Sequence, residues 1–388
     1  MTACIVGWAH SKFGKLDGRD IESLIVEVAT GAIADAGLAP KDIDRIFIGT
    51  FNAGMERQEF VSSLVLQAAP ELRFTPATRV ENACATGSAA IHQGIAALAA
   101  KQARFVLAIG VEKMTTLSSK DVGDCLIKAS YLKEDGDEPA GFAGVFGRIA
   151  QMYFQRYGDQ SDALARIAAK NHKNGVANPL AHMQKDFGYE FCRQVSDKNP
   201  LVAGPLKRTD CSLVSDGAAA VVLTDVSNAL GMQKAIAFRA TQQVNDYLPM
   251  SKRDIVDFDG PAEAWRRAFA QSGVRLDDLG LVETHDCFTM AELIEYEAMG
   301  LTPKGQGARA ILEGWTEKDG RLPVNPSGGL KSKGHPIGAT GVSMHVMASM
   351  QLSGTAGGMQ VKAPKLAGVF NMGGAAVANY VSILEPLR

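Results

Sequence analysis

The chain carries one long stretch of its own pattern twice. Residues 26–50, "VEVATGAIADAGLAPKDIDRIFIGT", and residues 262–286, "AEAWRRAFAQSGVRLDDLGLVETHD", share a helical run, a glycine break, an acidic turn and an apolar strand. Gly37 aligns with Gly273, Asp42 with Asp278, and Ile43 with Leu279. Further matches follow: "CATGSAAIHQGIAAL" with "GATGVSMHVMASMQL", and "RFVLAIG" with "KLAGVFN", in preserved order. Such an ordered repeat predicts an internal duplication of an α/β unit, and its period is far too long for a solenoid.

Each unit alternates strand and helix. "ACIVGWA" reads as a strand, and the helix after it has Ile21, Leu24, Ile25 and Val28 on one face. Asp20 is placed to cap that helix and Gly37 to end it. A helix around "EFVSSLVLQAA", a strand into "TRVENAC", a helix from Thr86 and a strand "RFVLAIGVEKM" follow. This alternation predicts a mainly parallel sheet with helices packed on it. From about Met114 to Lys207 the texture changes, since Pro and Gly interrupt helical runs and strands do not alternate with them. That stretch reads as an insertion over one face of the sheet, after which "DCSLVSDGAAAVVLTD" returns to strand. The expected organisation is a first half over 1–115 and 208–230, an inserted loop domain over 116–207, and a second half over 231–388.

Composition narrows the function classes. A net charge of −2 with no basic block argues against nucleic-acid binding. No apolar run is long enough to cross a bilayer, so no membrane insertion is expected. The start lacks a secretory signal and the chain ends without a targeting address, which makes the cytoplasm the expected location. The six cysteines are scattered, with no C-x-x-C pair; this disfavours structural zinc and disulfides and suits a reducing compartment.

Cys84 lies where a predicted strand gives way to a predicted helix, in "ENACATGSAA". A helix N-terminus stabilises a thiolate, and small neighbours admit a substrate; a buried structural cysteine is the alternative reading. "GGLKSKGHPIGATG" predicts a fixed loop that displays His335 just before a helix, where it could act as base toward a thiol. Lys331 and Lys333 in that loop are expected to be solvated charges. "ETHDCFTMAEL" puts His285 and Cys287 at a strand end, where open α/β sheets hold ligands, and a spacing of two would turn both one way on a regular strand. Core filling is the other reading of Cys287. "FNMGGAAVANY" offers a Gly pair for an exposed N–H or for a hairpin turn. His92 and His345 fall in predicted helices, and His172 and His182 in the insertion. No metal-ligand pattern and no phosphate-binding loop is evident.

"NACATGSAA", "HDCF", "GHPIGATG" and "NMGG", in this order over nearly the entire chain, resemble the thiolase superfamily. "HDCF" and "KNHKNGVANPLAHMQ" are similar to its sterol-carrier-protein-2 branch. The resemblance implies a duplicated five-layered α-β-α-β-α fold with an inserted loop domain, assembled as a homodimer or homotetramer. It implies acyl-CoA thioesters as substrates and no permanently bound cofactor. By the matching motifs, Cys84 is the nucleophile that becomes acylated, His335 activates it, and His285 positions an enolate oxygen.

Two departures from the common pattern bear on mechanism. Asn371-Met372-Gly373 stands where many thiolases carry Cys-x-Gly, and an amide cannot shuttle a proton as a thiol does. In the sterol-carrier-protein-2 branch that duty falls to the cysteine of "HDCF", here Cys287, while Gly373 is expected to offer its N–H to an oxyanion. Thr86 replaces a more usual Ser, with little consequence expected. The resemblance therefore implies an acyl-CoA:acetyl-CoA C-acyltransferase. Its alternatives are another acyltransferase or a retro-aldolase on the same fold, and a subunit that depends on a partner.

Overall fold

The computed structural model describes residues 3–387. Nine strands form one mixed sheet: β1 Ala3–His10, β2 Arg45–Gly49, β3 Ala77–Val80, β4 Phe105–Glu112, β7 Gly217–Asp225, β8 Ile236–Asn245, β9 Leu281–Glu283, β10 Ala367–Gly373 and β11 Ala378–Pro386. A separate short pair, β5 Leu201–Ala203 and β6 Leu206–Lys207, stands apart from it. The order across the sheet is β3-β2-β4-β7-β1-β8-β11-β10-β9. Among the described residues its two halves meet through Cys4↔Ala237 and Ile5↔Ile236, an antiparallel seam between β1 and β8.

Seven helices of ten or more residues stand among the described residues: α1 Ile21–Asp35, α2 Thr86–Ala99, α3 Gly141–Tyr157, α4 Ser161–Val176, α5 Asp259–Ser272, α6 Thr289–Ala298 and α7 Ile337–Leu352. Strand alternation assigns the faces. Val6, Ile46, Ile48, Leu107 and Ile109 pack with α1, whereas Ile5, Phe47, Val106 and Ala108 join the core that holds Ala90 and Ile91 of α2. Helix α7 lies beside α2 and also touches strands of both halves. Every residue of α7 except Met350 is buried, as a helix enclosed on all sides requires. Helix α5 covers β8 and β11 from the far side. The layers are therefore α1, the first half-sheet, α2 with α7, the second half-sheet, and α5 with α6.

The repeat reappears as geometry. Gly37 and Gly273 end α1 and α5 with φ of 70° and 69°, a region that glycine enters at no steric cost. Asp42 accepts the Ala39 N–H at 2.8 Å, and Asp278 accepts the Arg275 N–H at 2.8 Å. The aligned pair Gly87 and Gly341 let α2 and α7 touch backbone to backbone. A Cβ on Gly87 would come within 2.9 Å of the Gly341 nitrogen, and one on Gly341 within 2.2 Å of the Ser88 nitrogen.

Three expectations need correction. Only β2–β3, β2–β4 and β9–β10 pair in parallel and the other five pairings are antiparallel, so the sheet is mixed and not mainly parallel. The "EFVSSLVLQAA" helix is short: one α-turn, Val61–Leu64, runs into a 3-10 turn, Val65–Ala68. The segment 116–207 contributes no strand to the large sheet, and its α4 packs on α6 and on the loop helices 307–312 and 329–332 instead of on the sheet face. Polar side chains explain this. Lys170, Asn171, Asn174 and Asn178 on or just after α4 need buried partners, and they find Glu292, Asp286, Asn325 and Ser327 in the second half.

Candidate active site

Cys84 occupies a tight turn between β3 and α2. Ala83, just before it, is held at φ 48°, a left-handed conformation that costs a non-glycine residue about 1–3 kcal/mol. The turn is closed by the Ala85 N–H on the Asn82 carbonyl at 3.0 Å, and by the Asn82 N–H on Thr86 Oγ1 at 2.8 Å. The Thr86 hydroxyl thus serves the turn itself. The sulfur faces a cavity of about 420 Å³. Phe51, Met114, Phe142, Phe288 and Ile337 make its walls mostly apolar, and Cys84, Cys287 and His335 bring the chemistry into it.

His335 reaches the cavity from the loop that precedes α7. Its Nδ1 lies 2.6 Å from Thr340 Oγ1, and the Thr340 hydroxyl spends its only proton on the Pro336 carbonyl at 3.0 Å. Nδ1 must therefore be the donor, and Nε2 keeps a free lone pair. Burial, with Lys333 nearby, lowers the His335 pKa to about 3. The ring is a neutral base.

His285 is fully buried. Its ring meets that of His335 edge to face, with centroids 5.1 Å apart, and its Nε2 has no hydrogen-bond partner. Its Nδ1 lies 2.9 Å from Asn371 Nδ2. One ligand-type atom from each of Cys84, His285 and His335 lies within 4.8 Å of the other two.

Burial dominates the thiols. It raises the Cys84 pKa to about 12, while the backbone N–H of Gly374 works the other way. The thiolate expected from the helix N-terminus is not the resting state, because desolvation outweighs the dipole. Cys287 is raised well above the ordinary thiol range, first by burial and then by Cys84 itself. Strand β9 ends at Glu283, so Cys287 is held by a loop and not by strand geometry, with its carbonyl taking the Ser212 N–H at 2.9 Å.

Gly373 is the last residue of β10, paired with Ala378. Two lysines stand differently from the sequence reading. Lys331 and Lys333 are buried, not solvated. The Lys331 ammonium donates to the Cys211 carbonyl, and Lys333 donates to Ser343 Oγ at 2.9 Å. Their loop runs beneath α4 and the "HDCF" segment, so both amines must find partners inside.

Asp286 of "HDCF" ties the two catalytic loops together. It accepts from the Leu330 N–H at 2.6 Å, the Lys331 N–H at 3.1 Å and Asn171 Nδ2 at 2.8 Å. A Cβ on Gly329, whose φ is 57°, would sit 2.3 Å from the Asp286 carboxylate. Sequence reasoning missed Asp286 and Thr340, and it read Asn371 only as a missing thiol. The signal available for Asp286 was an acidic residue between two candidate catalytic residues.

A duplicated α/β core here opens two thiols and a neutral imidazole into one apolar cavity, groups of the kind that nucleophilic acyl transfer uses. Residues 3–188 match the thiolase N-terminal domain, and residues 242–386 match the thiolase C-terminal domain-like family. The chain belongs to the thiolase family. It is 36% identical to an acetyl-CoA acetyltransferase of Methanothermobacter thermautotrophicus, over 95% of this chain and 96% of that protein. It is 34% identical to sterol carrier protein 2 of Oryctolagus cuniculus, over 96% of this chain and 70% of that protein. Its fold follows that of the Ltp2-ChsH2(DUF35) aldolase at a TM-score of 0.85, with 24% identity over 100% of this chain and 98% of the other.

Proposed function

We propose that the protein catalyses acyl-CoA + acetyl-CoA ⇌ 3-oxoacyl-CoA + CoA through an acyl-enzyme on Cys84. The observation that carries this reading is the meeting of Cys84, Cys287 and His335 in one cavity. The name borne by the Methanothermobacter relative supports it.

In this mechanism His335 Nε2 takes the Cys84 proton as the sulfur attacks the thioester carbonyl. The carbon–sulfur bond to CoA breaks, and CoA leaves as the thiol with that proton. Cys287 then passes its own proton to the freed His335 Nε2, and the resulting thiolate takes a proton from the α-carbon of acetyl-CoA. The carbanion attacks the acyl group, the Cys84–acyl bond breaks, and the Cys84 sulfur recovers its proton from His335. General acid–base help of this kind is worth about 10²–10⁴-fold. His285 Nε2–H and the Gly373 N–H are the donors for developing oxyanions, and the loss of one such donor typically costs about 10²–10³ in rate. CoA thioesters enter as substrates, with no resident cofactor in the scheme.

The test is CoA-dependent cleavage of acetoacetyl-CoA together with mass spectrometry of the enzyme exposed to acyl-CoA. An acyl adduct on Cys84 that vanishes in Cys84→Ala is expected; an active enzyme without that adduct would sink the reading. A second reading, carbon–carbon cleavage of a β-hydroxyacyl thioester with a partner subunit, draws on the likeness to the Ltp2-ChsH2(DUF35) aldolase. Aldol cleavage needs no acyl-enzyme, so the same adduct separates the two.

The remaining features fit a cytoplasmic homodimer with halves at 1–115/208–230 and 231–388 around the 116–207 insertion. Edge strand β3 is half exposed, and Phe60 and Phe74 near it are 72% and 83% exposed, a face that a second copy would cover. All six cysteines are free thiols, in keeping with a reducing compartment, and no helix among the described residues is long and apolar enough to cross a membrane. Sedimentation equilibrium tests the dimer.

A further inference from the structure

We infer that Asn371 is a positioning residue: it fixes the tautomer of His285, so that the imidazole presents Nε2–H to the thioester oxygen. The inference rests on the acyl-transfer reading above. Asn371 is fully buried in β10, and its amide makes three contacts. Nδ2 lies 3.1 Å from the Cys84 carbonyl and 2.9 Å from His285 Nδ1, while Oδ1 accepts from Ser88 Oγ at 2.8 Å. A carbonyl oxygen can only accept, so the end facing Cys84 must be the NH2 group. Its second hydrogen then points at His285 Nδ1, which must supply the lone pair. The imidazole proton is thereby placed on Nε2, the buried nitrogen that has no partner within the protein.

One NH2 group thus holds both the backbone of the nucleophile and the ring of the oxyanion donor. The two histidines are set in opposite senses. Thr340 leaves His335 a bare Nε2, a base, and Asn371 leaves His285 a protonated Nε2, a donor. A thiol at position 371 has one weak donor and could not serve both partners at once, so the amide fills a need of its own there.

Asn371→Asp and Asn371→Ala test this. Aspartate has the same shape but only accepts, so it draws the proton to Nδ1 and turns a lone pair toward the substrate oxygen. Alanine removes the constraint and leaves the ring free to choose. In ¹⁵N NMR of the resting protein, His285 should be the Nε2–H tautomer in the wild type, Nδ1-protonated in Asn371→Asp, and mixed in Asn371→Ala. kcat should fall about 10²–10³-fold in Asn371→Asp and less in Asn371→Ala, with KM moving much less than kcat. A packing role would reverse that order, because alanine leaves a hole and aspartate does not. An unchanged Nε2–H tautomer in Asn371→Asp, or a larger kcat loss in Asn371→Ala, overturns the inference. If Asn371→Asp does not fold, a pure Nε2–H signal in Asn371→Ala overturns it alone. Lack of a Cys84 adduct in the wild type would count against the reaction, and the resting tautomer would still be readable.

Discussion

His335 donates its Nδ1–H to Thr340 Oγ1 across 2.6 Å, and this bond decides which nitrogen faces Cys84. In Thr340→Val that acceptor is gone and a buried N–H is left unpaired, at about 1–3 kcal/mol. Stability should fall by that order in urea titration. Acylation of Cys84 should slow about tenfold in single-turnover kinetics, since the ring loses its fixed tautomer. Unchanged acylation with reduced stability would mean that Thr340 supports the fold alone.

The two thiols should separate by step. Cys287→Ala should still take up an acyl group on Cys84, while carbon–carbon bond formation or cleavage drops about 10²–10⁴-fold. Rapid-quench mass spectrometry reads the first step and coupled turnover the second. Loss of both steps together would move Cys287 into the acylation machinery.

Because Cys84 is held near a pKa of about 12 and His335 near about 3, the resting pair is neutral. Alkylation of Cys84 by iodoacetamide should therefore climb about tenfold per pH unit from pH 7 to 9, following the thiolate fraction. A plateau through the neutral range would reveal an imidazolium–thiolate pair instead.

Buried imidazoles also govern acid stability. His10, His92 and His335 are lowered to about 3 and His345 to about 4, mainly by desolvation. Unfolded, each titrates near about 6.5, so below that pH the unfolded chain binds protons that the folded chain refuses. Stability is complete above about pH 6.5 and falls as the pH drops toward the folded values, by up to about 1.4 kcal/mol per unit for each ring. The urea midpoint should hold from pH 8 to 7 and decline between 6.5 and 5. A midpoint constant to pH 5 would contradict these neutral rings.

Gly341→Ala tests the contact between the repeats. Its Cβ would stand 2.2 Å from the Ser88 nitrogen and 2.4 Å from Asn371 Oδ1, and neither can retreat. Overpacking should cost about 1–3 kcal/mol or more in urea titration, and kcat should fall as Asn371 shifts. A fully active, equally stable Gly341→Ala would show the helices free to part.

Much of the core could be read from local pattern. Period-two alternation in "DRIFIGTF" and the helical face of Ile21, Leu24, Ile25 and Val28 are set by neighbours in the chain, and the repeat tied "GATG" to "CATG". The single sheet could not be read, since its seam rests on two residue pairs between β1 and β8. Lys331 and Lys333 misled because a charge announces solvent unless distant partners are known. Asn371 stayed mute for the same reason: its meaning lies in Cys84, His285 and Ser88, which sequence separates by up to 287 positions. Cys84 and Cys287 were visible as candidates, but their ionisation was not, because desolvation depends on what closes over them.

The pairing of Gly87 with Gly341 has an outcome for how the molecule could be taken apart. Cys84 rides on one copy of the repeat, and His285, Cys287 and His335 ride on the other. Neither copy alone owns a working centre. A chain severed between β7 and β8 should be inert as separate fragments and should recover turnover only when the glycine faces dock again, so that catalysis itself reports the reunion.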